Sequence, residues 1–250
     1  MASPSPALDV LALAAHRDDV EQTCGGTLLK MADRGQRTGI LDLTQGEMGT
    51  RGSREEREAE AQNAARILRV AYRQALDIPD GRVENTWENR LKVAHAIREQ
   101  RPRVLILPYW KGRHPDHYTA SILGYEACFL AGLAKLELGS GPEHSTTNLP
   151  PHRPFKIIYA TLYYDIRPTF IVDISEQFER RFESLMAYKS QFSDQQAGSG
   201  IFPAHAEIRS RVEAMARYYG MLAGVTYGEP FLQKEVGLVD DLLAIPVKSI

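Results

Sequence analysis

Cysteine is scarce in this sequence: Cys24 and Cys128 are the only two among 250 residues, and they lie far apart. This count excludes a disulfide framework and a cysteine-based zinc finger, and it predicts two reduced thiols. Basic residues are not in excess either, because 30 lysines and arginines stand against 32 acidic residues, for a net charge of −2. Dedicated nucleic-acid-binding proteins usually carry a basic excess, so nucleic acid is not an expected partner.

Long apolar runs are also absent. The stretch from Val10 to Ala15 is too short for a signal peptide or a membrane span, and no basic segment precedes it. No other stretch is apolar enough to cross a bilayer, so we expect a cytoplasmic protein without a membrane partner. Hydrophobic residues make up 43% of the chain and charged residues 25%, which excludes wholesale disorder.

Apolar runs alternate with segments of helical periodicity along the chain. Strands are predicted at residues 10–15, 37–43, 104–107, 156–163 and 170–173, and helices at about 20–33, 53–70, 88–101, 114–134, 178–186 and 208–219. This order predicts an α/β fold that is Rossmann-like, with a mostly parallel sheet and helices on both faces. We expect one domain over residues 1–250, with a long loop at 137–154.

Helix ends carry recognisable capping residues. Ser53 and Glu56 have the spacing of a capping box, and Gly35 fits the end of the first helix. Pro115 suits the first position of a helix, so His114 is the predicted N-cap residue.

Polar residues follow two of the predicted strands at the point where each strand ends. Because ligands of open α/β sheets bind outside the carboxyl ends of the strands, these residues are expected to meet at one sheet edge. They are His16, Asp18 and Asp19 after the first strand, and His114, Asp116 and His117 after the strand at 104–107.

Imidazole nitrogens and one carboxylate are a ligand set that suits zinc in a catalytic site. Each motif alone could be an ordinary polar helix start, but the two together favour a metal site. The adjacent Asp18 and Asp19 cannot easily both bind the metal. One would be a ligand, and the other would be a general base for metal-assisted hydrolysis.

The sequence resembles the PIG-L/LmbE-type zinc-dependent N-deacetylases, which remove acetyl groups from N-acetylglucosamine units. The similarity lies in the motifs Ala15–Glu21 (AHRDDVE), Cys24–Leu28 (CGGTL), Leu43–Glu47 (LTQGE) and Arg113–His117 (RHPDH). Further motifs resemble the branch that acts in bacillithiol biosynthesis on N-acetylglucosaminyl-malate. They are Pro151–Arg153 (PHR), Phe170–Ser175 (FIVDIS), Ala187–Phe192 (AYKSQF) and Gly224–Phe231 (GVTYGEPF).

The resemblance implies roles for individual residues. It implies a zinc ion held by His16, Asp19 and His117, with Asp18 as general base. His114 would stabilise the oxyanion, and Asp116 would orient one of the histidines. The substrate, a small N-acetylated glucosaminide, would be bound by Arg57, Arg113 and Arg153.

Arg17 departs from the family pattern, which usually has proline or alanine at that position. A guanidinium beside a metal ligand must point away or meet an anion, so Arg17 is a further, weaker candidate for binding the carboxylates of malate.

Other interpretations stay open from the sequence. The substrate could be a mycothiol-type conjugate or a chitooligosaccharide, and iron(II) or cobalt would accept the same ligands as zinc. A non-catalytic sugar- or nucleotide-binding protein is the alternative outside enzymes, although the first strand–helix turn lacks the Gly-x-Gly-x-x-Gly pattern of a dinucleotide site. The resemblance also implies a homo-oligomer, a hexamer.

Overall fold

The computed structural model describes residues 7–138, 149–162, 164–192 and 204–245. Its strands are β1 Val10–Ala14, β2 Thr38–Asp42, β3 Tyr72–Ala75, β4 Val104–Pro108, β5 Lys156–Ala160, β6 Phe170–Asp173 and β7 Gly228–Gln233. Its α-helices are α1 Asp19–Thr23, α2 Gly25–Asp33, α3 Arg54–Ile67, α4 Trp87–Gln100, α5 Pro115–Ala131, α6 Phe178–Met186, α7 Lys189–Phe192 and α8 His205–Leu222. No helix in these ranges is long and apolar enough to cross a membrane.

The strands form one sheet in the order β3-β2-β1-β4-β5-β7-β6. The first five strands of this order are parallel, whereas β7 runs antiparallel to both of its neighbours. The strands that follow β1 are therefore added first on one side of it, as β2 and β3, and then on the other side, beginning with β4. The order reverses between β1 and β4, which pair with Val10 opposite Val104. In open α/β sheets this is the place where a crevice forms at the carboxyl ends of the strands. The predicted α/β architecture is confirmed.

Side chains of β1 alternate between two cores, because successive residues of a strand point to opposite faces. Leu11 and Leu13 belong to the core beneath α4 and α5. Ala12 and Ala14 face the core that includes residues of α1 and α2. Both faces of the central strand are thus covered, which explains why β1 is a continuous apolar run.

The predicted helix starts are confirmed where capping chemistry is local. Ser53 and Glu56 make both hydrogen bonds of the capping box at the start of α3. His114 is the N-cap of α5, and Pro115 opens the helix. Gly35 has φ +79° directly after the C-cap of α2, a conformation that glycine adopts without strain.

Two features differ from the sequence-based prediction, and parts of two predicted segments lie outside the described residues. The first predicted helix is interrupted at Cys24, so it forms α1 and α2 separately. Strands β3 and β7 were not predicted. Most of the predicted loop at 137–154 lies outside the described residues, as does the end of the strand predicted to reach residue 163.

Candidate active site

The turn after β1 places His16, Asp18 and Asp19 at the carboxyl edge of the sheet. Asp19 turns its carboxylate back to the turn and accepts a hydrogen bond from the backbone N–H of His16 (2.9 Å). Asp18 occupies the N-cap position of α1, but its side chain makes no capping hydrogen bond. The carboxylate of Asp18 instead accepts from Nε2 of Gln22 at 3.2 Å, so it lies beside the helix and not across its first turn.

The first turn of α5 supplies the second half of the site. Nδ1 of His114 accepts a hydrogen bond from the backbone N–H of Asp116 (3.2 Å), which fixes the ring at the helix start. The His117 ring stacks on the His114 ring, with centroids 5.0 Å apart. Because β4 lies next to β1, this helix start faces the turn that carries His16.

Three donor atoms from the two motifs form a compact triangle, which we call the donor cluster: Nδ1 of His16, Nε2 of His117 and the carboxylate of Asp19. The two nitrogens are 3.2 Å apart. Oδ2 of Asp19 lies 3.4 Å from the His16 nitrogen, and Oδ1 of Asp19 lies 3.2 Å from the His117 nitrogen. Tetrahedral zinc with ligands at about 2.0–2.2 Å holds neighbouring ligand atoms roughly 3.3–3.6 Å apart, and each of these three separations is close to that range.

The other nitrogen of His16 faces two carboxylates. Nε2 lies 3.1 Å from Asp80 and 3.3 Å from Asp116. Asp116 is itself held by the backbone N–H groups of Gly81 (2.8 Å) and Val83 (3.2 Å). A proton on Nε2 would be donated to these carboxylates, leaving the lone pair of Nδ1 free within the donor cluster, as is typical of metal-binding histidines.

Asp80 is a site residue that the sequence analysis missed. It follows β3, the polar edge strand that was also missed, within the turn pair Asp80-Gly81. Its backbone is fixed, because it donates its N–H to Glu47 and its carboxylate accepts from the N–H of Met48 (3.0 Å). The rule that located His16 at a strand end would have found Asp80 had β3 been recognised.

His114 is the third histidine that could be a ligand. Its ligand atom and those of His16 and His117 all lie within 4.8 Å of one another, and a second group of this kind joins His16 to Asp80 and Asp116. The donor cluster is tighter than this limit, with sides of 3.2–3.4 Å. His114 is also exposed, which leaves its Nε2 available to a bound molecule.

The pKa values of the site follow from an excess of carboxylates. Burial alone would lower the pKa of His16, but the hydrogen bonds with Asp116, Asp19 and Asp80 and the charge of Asp19 raise it to about 12. Burial also opposes ionisation of Asp19, yet His117 and His16 hold the pKa of this carboxyl well below its usual range. The carboxylates at this edge of the sheet therefore stabilise positive charge placed between them, and either a proton or a divalent cation would supply that charge.

Asp18 and His114 are shifted in the opposite sense to these neighbours. Burial, followed by the charge of Asp19, raises the pKa of Asp18, against the opposing charges of Arg57 and His16. Burial, followed by the charges of His16 and His117, lowers the pKa of His114, so its ring is neutral near pH 7. A carboxylate that binds protons more readily and a neutral imidazole are the groups that acid–base and oxyanion roles require.

Arg57 is buried beside the site and is not a solvated helix residue. Its Nη1 donates to the carbonyl oxygen of Gly46 (2.6 Å), and its Nη2 lies 3.9 Å from the carboxylate of Asp18. A Cβ at Gly46 or Gly49 would collide with the guanidinium, so glycine lets this loop close over Arg57. The structure thus places Arg57 against Asp18.

The other arginines that the sequence analysis named as candidates for substrate binding are Arg17, Arg113 and Arg153, and they lie in three different places. Arg17 is buried and directed away from the cluster, with hydrogen bonds to the Glu58 carboxylate and the Arg54 carbonyl of α3. It therefore meets an anion of its own chain, and the expectation that it binds a substrate carboxylate is wrong. Arg113 is exposed in the loop just before His114.

Arg153 lies far from the donor cluster of its own chain. It precedes β5, so it is at the amino edge of the parallel sheet, whereas the cluster is at the carboxyl edge. Its guanidinium covers the Phe129 ring at 5.0 Å, near the end of α5. Since His117 is in the first turn of that helix of 17 residues, the two sites are roughly 20 Å apart. The structure does not bring Arg153 to the site.

A cleft adjoins the donor cluster on the side of β4. It is lined by Asp19 and His117 together with Thr23, Tyr109 and Lys111. Lys111 was not singled out from the sequence, because a lysine in a loop carries no pattern of its own. The loop between β4 and α5 thus places positive charge next to the cluster.

Comparisons with known proteins identify the family of this chain. The family model of the GlcNAc-PI de-N-acetylases (PIG-L) matches residues 11–128, which contain both motifs of the donor cluster. Diacetylchitobiose deacetylase of Thermococcus kodakarensis is 31% identical over 231 residues, which is 88% of this chain and 80% of the relative.

Two solved structures are similar over most of their length. A conserved protein of Thermus thermophilus is 39% identical, with a TM-score of 0.81 and coverage of 93% of this chain and 98% of the other. N,N'-diacetylchitobiose deacetylase of Pyrococcus horikoshii is 26% identical, with a TM-score of 0.74 and coverage of 89% and 82%. The chain belongs to the PIG-L family.

Proposed function

We propose that this protein is a metal-dependent N-deacetylase that hydrolyses the acetamido group of a GlcNAc-type substrate. The observation that carries the proposal is the donor cluster together with Asp18, a largely buried carboxylate that lies next to the triangle without belonging to it. His16, Asp19 and His117 would hold the metal, and zinc fits their chemistry and spacing. When bound, such an ion supplies a Lewis acid and lowers the pKa of a coordinated water.

Asp18 acts as the general base in this proposal. Burial raises its pKa, and Arg57 and Gln22 fix its carboxylate, so it can accept a proton from the water that attacks the acetamide carbon. The same carboxyl group then returns a proton to the leaving nitrogen as the C–N bond breaks. Acetate and a free amine are the products, and one water is consumed.

His114 stabilises the negative charge that develops on the acetamide oxygen. Its Nδ1 accepts the N–H of Asp116, so a neutral ring carries its proton on Nε2. That N–H is the group available for donation to the oxyanion. Asp116 acts through His16, whose Nε2 it faces at 3.3 Å, and keeps the Nδ1 lone pair directed at the metal position.

A short chitooligosaccharide is the first candidate substrate. The Thermococcus and Pyrococcus relatives are both named for deacetylation of diacetylchitobiose, and the similarity to them covers 88% and 89% of this chain. A mycothiol-type conjugate would present the same acetamido group to the same residues.

N-acetylglucosaminyl-malate is the second candidate, and one observation favours it. Lys111 lines the cleft beside His117, and the exposed Arg113 lies in the same loop, so two cations are available to the malate carboxylates. Arg17 and Arg153 do not contribute to that pocket within this chain, which leaves the loop and Arg57 as the candidates for binding a substrate carboxylate.

The test is a free-amine assay of the purified protein with diacetylchitobiose, N-acetylglucosaminyl-malate and plain N-acetylglucosamine, with metal content measured on the same sample. We expect turnover that scales with bound metal. Preference for the malate conjugate that falls selectively in a Lys111→Ala variant would assign the second substrate. A metal-loaded protein that binds these sugars and hydrolyses none of them would be a sugar-binding module, contrary to the proposal.

A further inference from the structure

The loop between β4 and α5, residues 109–114, borders the cleft beside the donor cluster and carries two cations. Tyr109 and Lys111 line that cleft, and Arg113 is exposed in the same loop. Neither Lys111 nor Arg113 forms an ion pair with a carboxylate of the described chain. Their charges are therefore available to a bound molecule, provided that the loop is held in place.

Backbone hydrogen bonds hold only the two ends of this loop. The N–H of Tyr109 donates to the carbonyl oxygen of Ala160 on β5 (2.8 Å), and His114 caps α5 at the other end. Residues 110–113 form no hydrogen bond with another described residue. The position of the middle of the loop therefore depends on how its side chains pack.

Trp110 is the side chain of this loop that packs inward. Its ring meets the buried ring of Tyr159 on β5 edge to face, with centroids 4.7 Å apart. Trp110 thus belongs to the core beneath α4 and α5, whereas its two neighbours, Tyr109 and Lys111, line the cleft. A displacement of Trp110 would therefore move both of these cleft residues.

A cation completes the packing around Trp110. Lys234 directly follows β7, and its Nζ lies 4.7 Å from each of three ring centroids, those of Trp110, Tyr125 and Tyr159. We call these three rings, which come from the loop, α5 and β5, the aromatic cage. Lys234 forms no ion pair with a described carboxylate, so the ring faces supply the negative potential that its ammonium group meets.

We propose that Lys234 is a positioning residue for substrate binding and acts through the aromatic cage. Its ammonium group holds Trp110 against β5 and α5, and Trp110 fixes the loop that presents Tyr109 and Lys111 to the cleft. The inference rests on the proposed function, because it gives the loop a part in binding the substrate of the donor cluster. None of the three rings belongs to that cluster, so Lys234 acts on substrate binding and not on metal retention.

Steady-state kinetics of the full-length, metal-loaded protein test this role. Lys234→Met removes the charge and keeps the length of the side chain, so KM should rise by about 3–10-fold while kcat changes by less than about twofold. Metal content should stay at the wild-type level. Lys234→Arg supplies another cation that binds aromatic faces and should restore KM. Lys135→Met, which removes an exposed lysine outside the cage, is the control and should leave both constants unchanged.

A double-mutant cycle tests whether Lys234 acts through Trp110. Trp110→Leu should raise KM at least as much as Lys234→Met does. Adding Lys234→Met to Trp110→Leu should raise KM no further, because the ring through which the charge acts is already gone. Effects on KM that multiply in the combined variant, or a KM indifferent to Trp110→Leu, would contradict the proposal.

Fluorescence separates this inference from the proposed function, because it needs no turnover. The chain has two tryptophans, so Trp87→Phe leaves Trp110 as the only emitter. In that background Lys234→Met should raise the quenching of Trp110 by acrylamide, and Lys234→Arg should not. A protein that shows this change but hydrolyses no acetylated sugar would refute the proposed function while the loop is anchored as inferred.

Three results would overturn the role of Lys234 in an active enzyme. One is a KM and a Trp110 quenching that both stay at the wild-type level in Lys234→Met. Another is a joint loss of kcat and metal in that variant, which would mean a general disturbance of the site. The third is failure of Lys234→Arg to restore KM, which would show that the shape of lysine, and not its charge, matters.

Discussion

Two clusters of charged residues lie side by side at the carboxyl ends of β1 and β2, and they differ in where their counter-charge comes from. The donor cluster and its neighbours Asp18, Asp80 and Asp116 are rich in carboxylates, and the arginine nearest to them, Arg57, is 3.9 Å from Asp18. The second cluster, which we call the arginine network, consists of Arg73, Glu21, Asp42 and Tyr188, and it is closed to solvent.

The charges of the arginine network are neutralised by ion pairs within the network. Arg73 lies 2.6 Å from Glu21 and 2.9 Å from Asp42, and the Tyr188 hydroxyl is 3.0 Å from Glu21. Arg73 and Tyr188 also donate hydrogen bonds to the carbonyl oxygen of Arg17, the peptide group that precedes Asp18. The carboxylates of the arginine network thus have an internal cation and support the turn. In contrast, the ion pairs of Asp19, Asp80 and Asp116 are formed with histidines, and these carboxylates form the site where an external cation fits.

The largest expected effect is at the donor cluster itself. His117→Ala removes one of three ligands, so bound metal and deacetylase turnover should both fall to background. Metal analysis and a free-amine assay on the same sample measure the two quantities. Wild-type protein treated with a chelator and then resupplied with zinc is the control, and it should lose and regain activity. Full activity in the metal-free variant would mean that the donor cluster, like the arginine network, has no need of an external cation.

Asp18→Asn separates proton transfer from metal binding within the same turn. The amide keeps the shape of the side chain but cannot accept a proton, so turnover should fall by about 10²–10⁴-fold while metal content stays at the wild-type level. Asp19→Asn is the matched variant and should lose metal. If the two results are exchanged, the roles of Asp18 and Asp19 are exchanged as well.

Arg73→Met is the corresponding change in the arginine network. It leaves Glu21 and Asp42 buried without a cation, which should lower the free energy of unfolding by about 3–5 kcal/mol in denaturant titrations. Adding Glu21→Gln and Asp42→Asn removes the stranded charges and should recover most of that stability. Failure of the triple variant to recover would show that shape, and not charge, fixes this region.

The sequence predicted that the two motifs of the donor cluster meet, because each motif is local. Each motif directly follows an apolar strand, and the parallel topology brings the strand ends together. The same rule places Arg153 at the opposite edge, since it precedes β5 and does not follow it. Its expected place at the pocket came from the family resemblance, and the topology of this chain does not support it.

The missed elements depend on distant partners. β3 carries Arg73, whose charge is matched by residues of α1 and β2, so no apolar period marks the strand. In β7 the buried Glu229 accepts the N–H groups of Gly26 and Thr27 at the start of α2, about 200 residues away. Such pairings stabilise a strand through contacts that its own sequence does not display.

The smallest expected effect is a pH dependence within the arginine network. Burial, opposed by Arg73, raises the pKa of Glu21 from about 4.5 to about 7 in the folded protein. Between these values the folded chain holds a proton that the unfolded chain has released, so the free energy of unfolding should fall as pH rises. The slope from this one group is at most about 1.4 kcal/mol per pH unit.

Glu21→Gln isolates that contribution, because glutamine keeps the shape and does not titrate. Denaturant titrations of metal-free protein between pH 4.5 and 5.5 limit interference from His16, which is protonated in its folded form there and, with an ordinary pKa near 6.5, largely protonated when unfolded. The variant should lose the part of the fall in stability that Glu21 causes. Equal slopes in the two proteins would mean that Glu21 is ionised throughout, fully neutralised by Arg73, and that the arginine network carries no proton of its own.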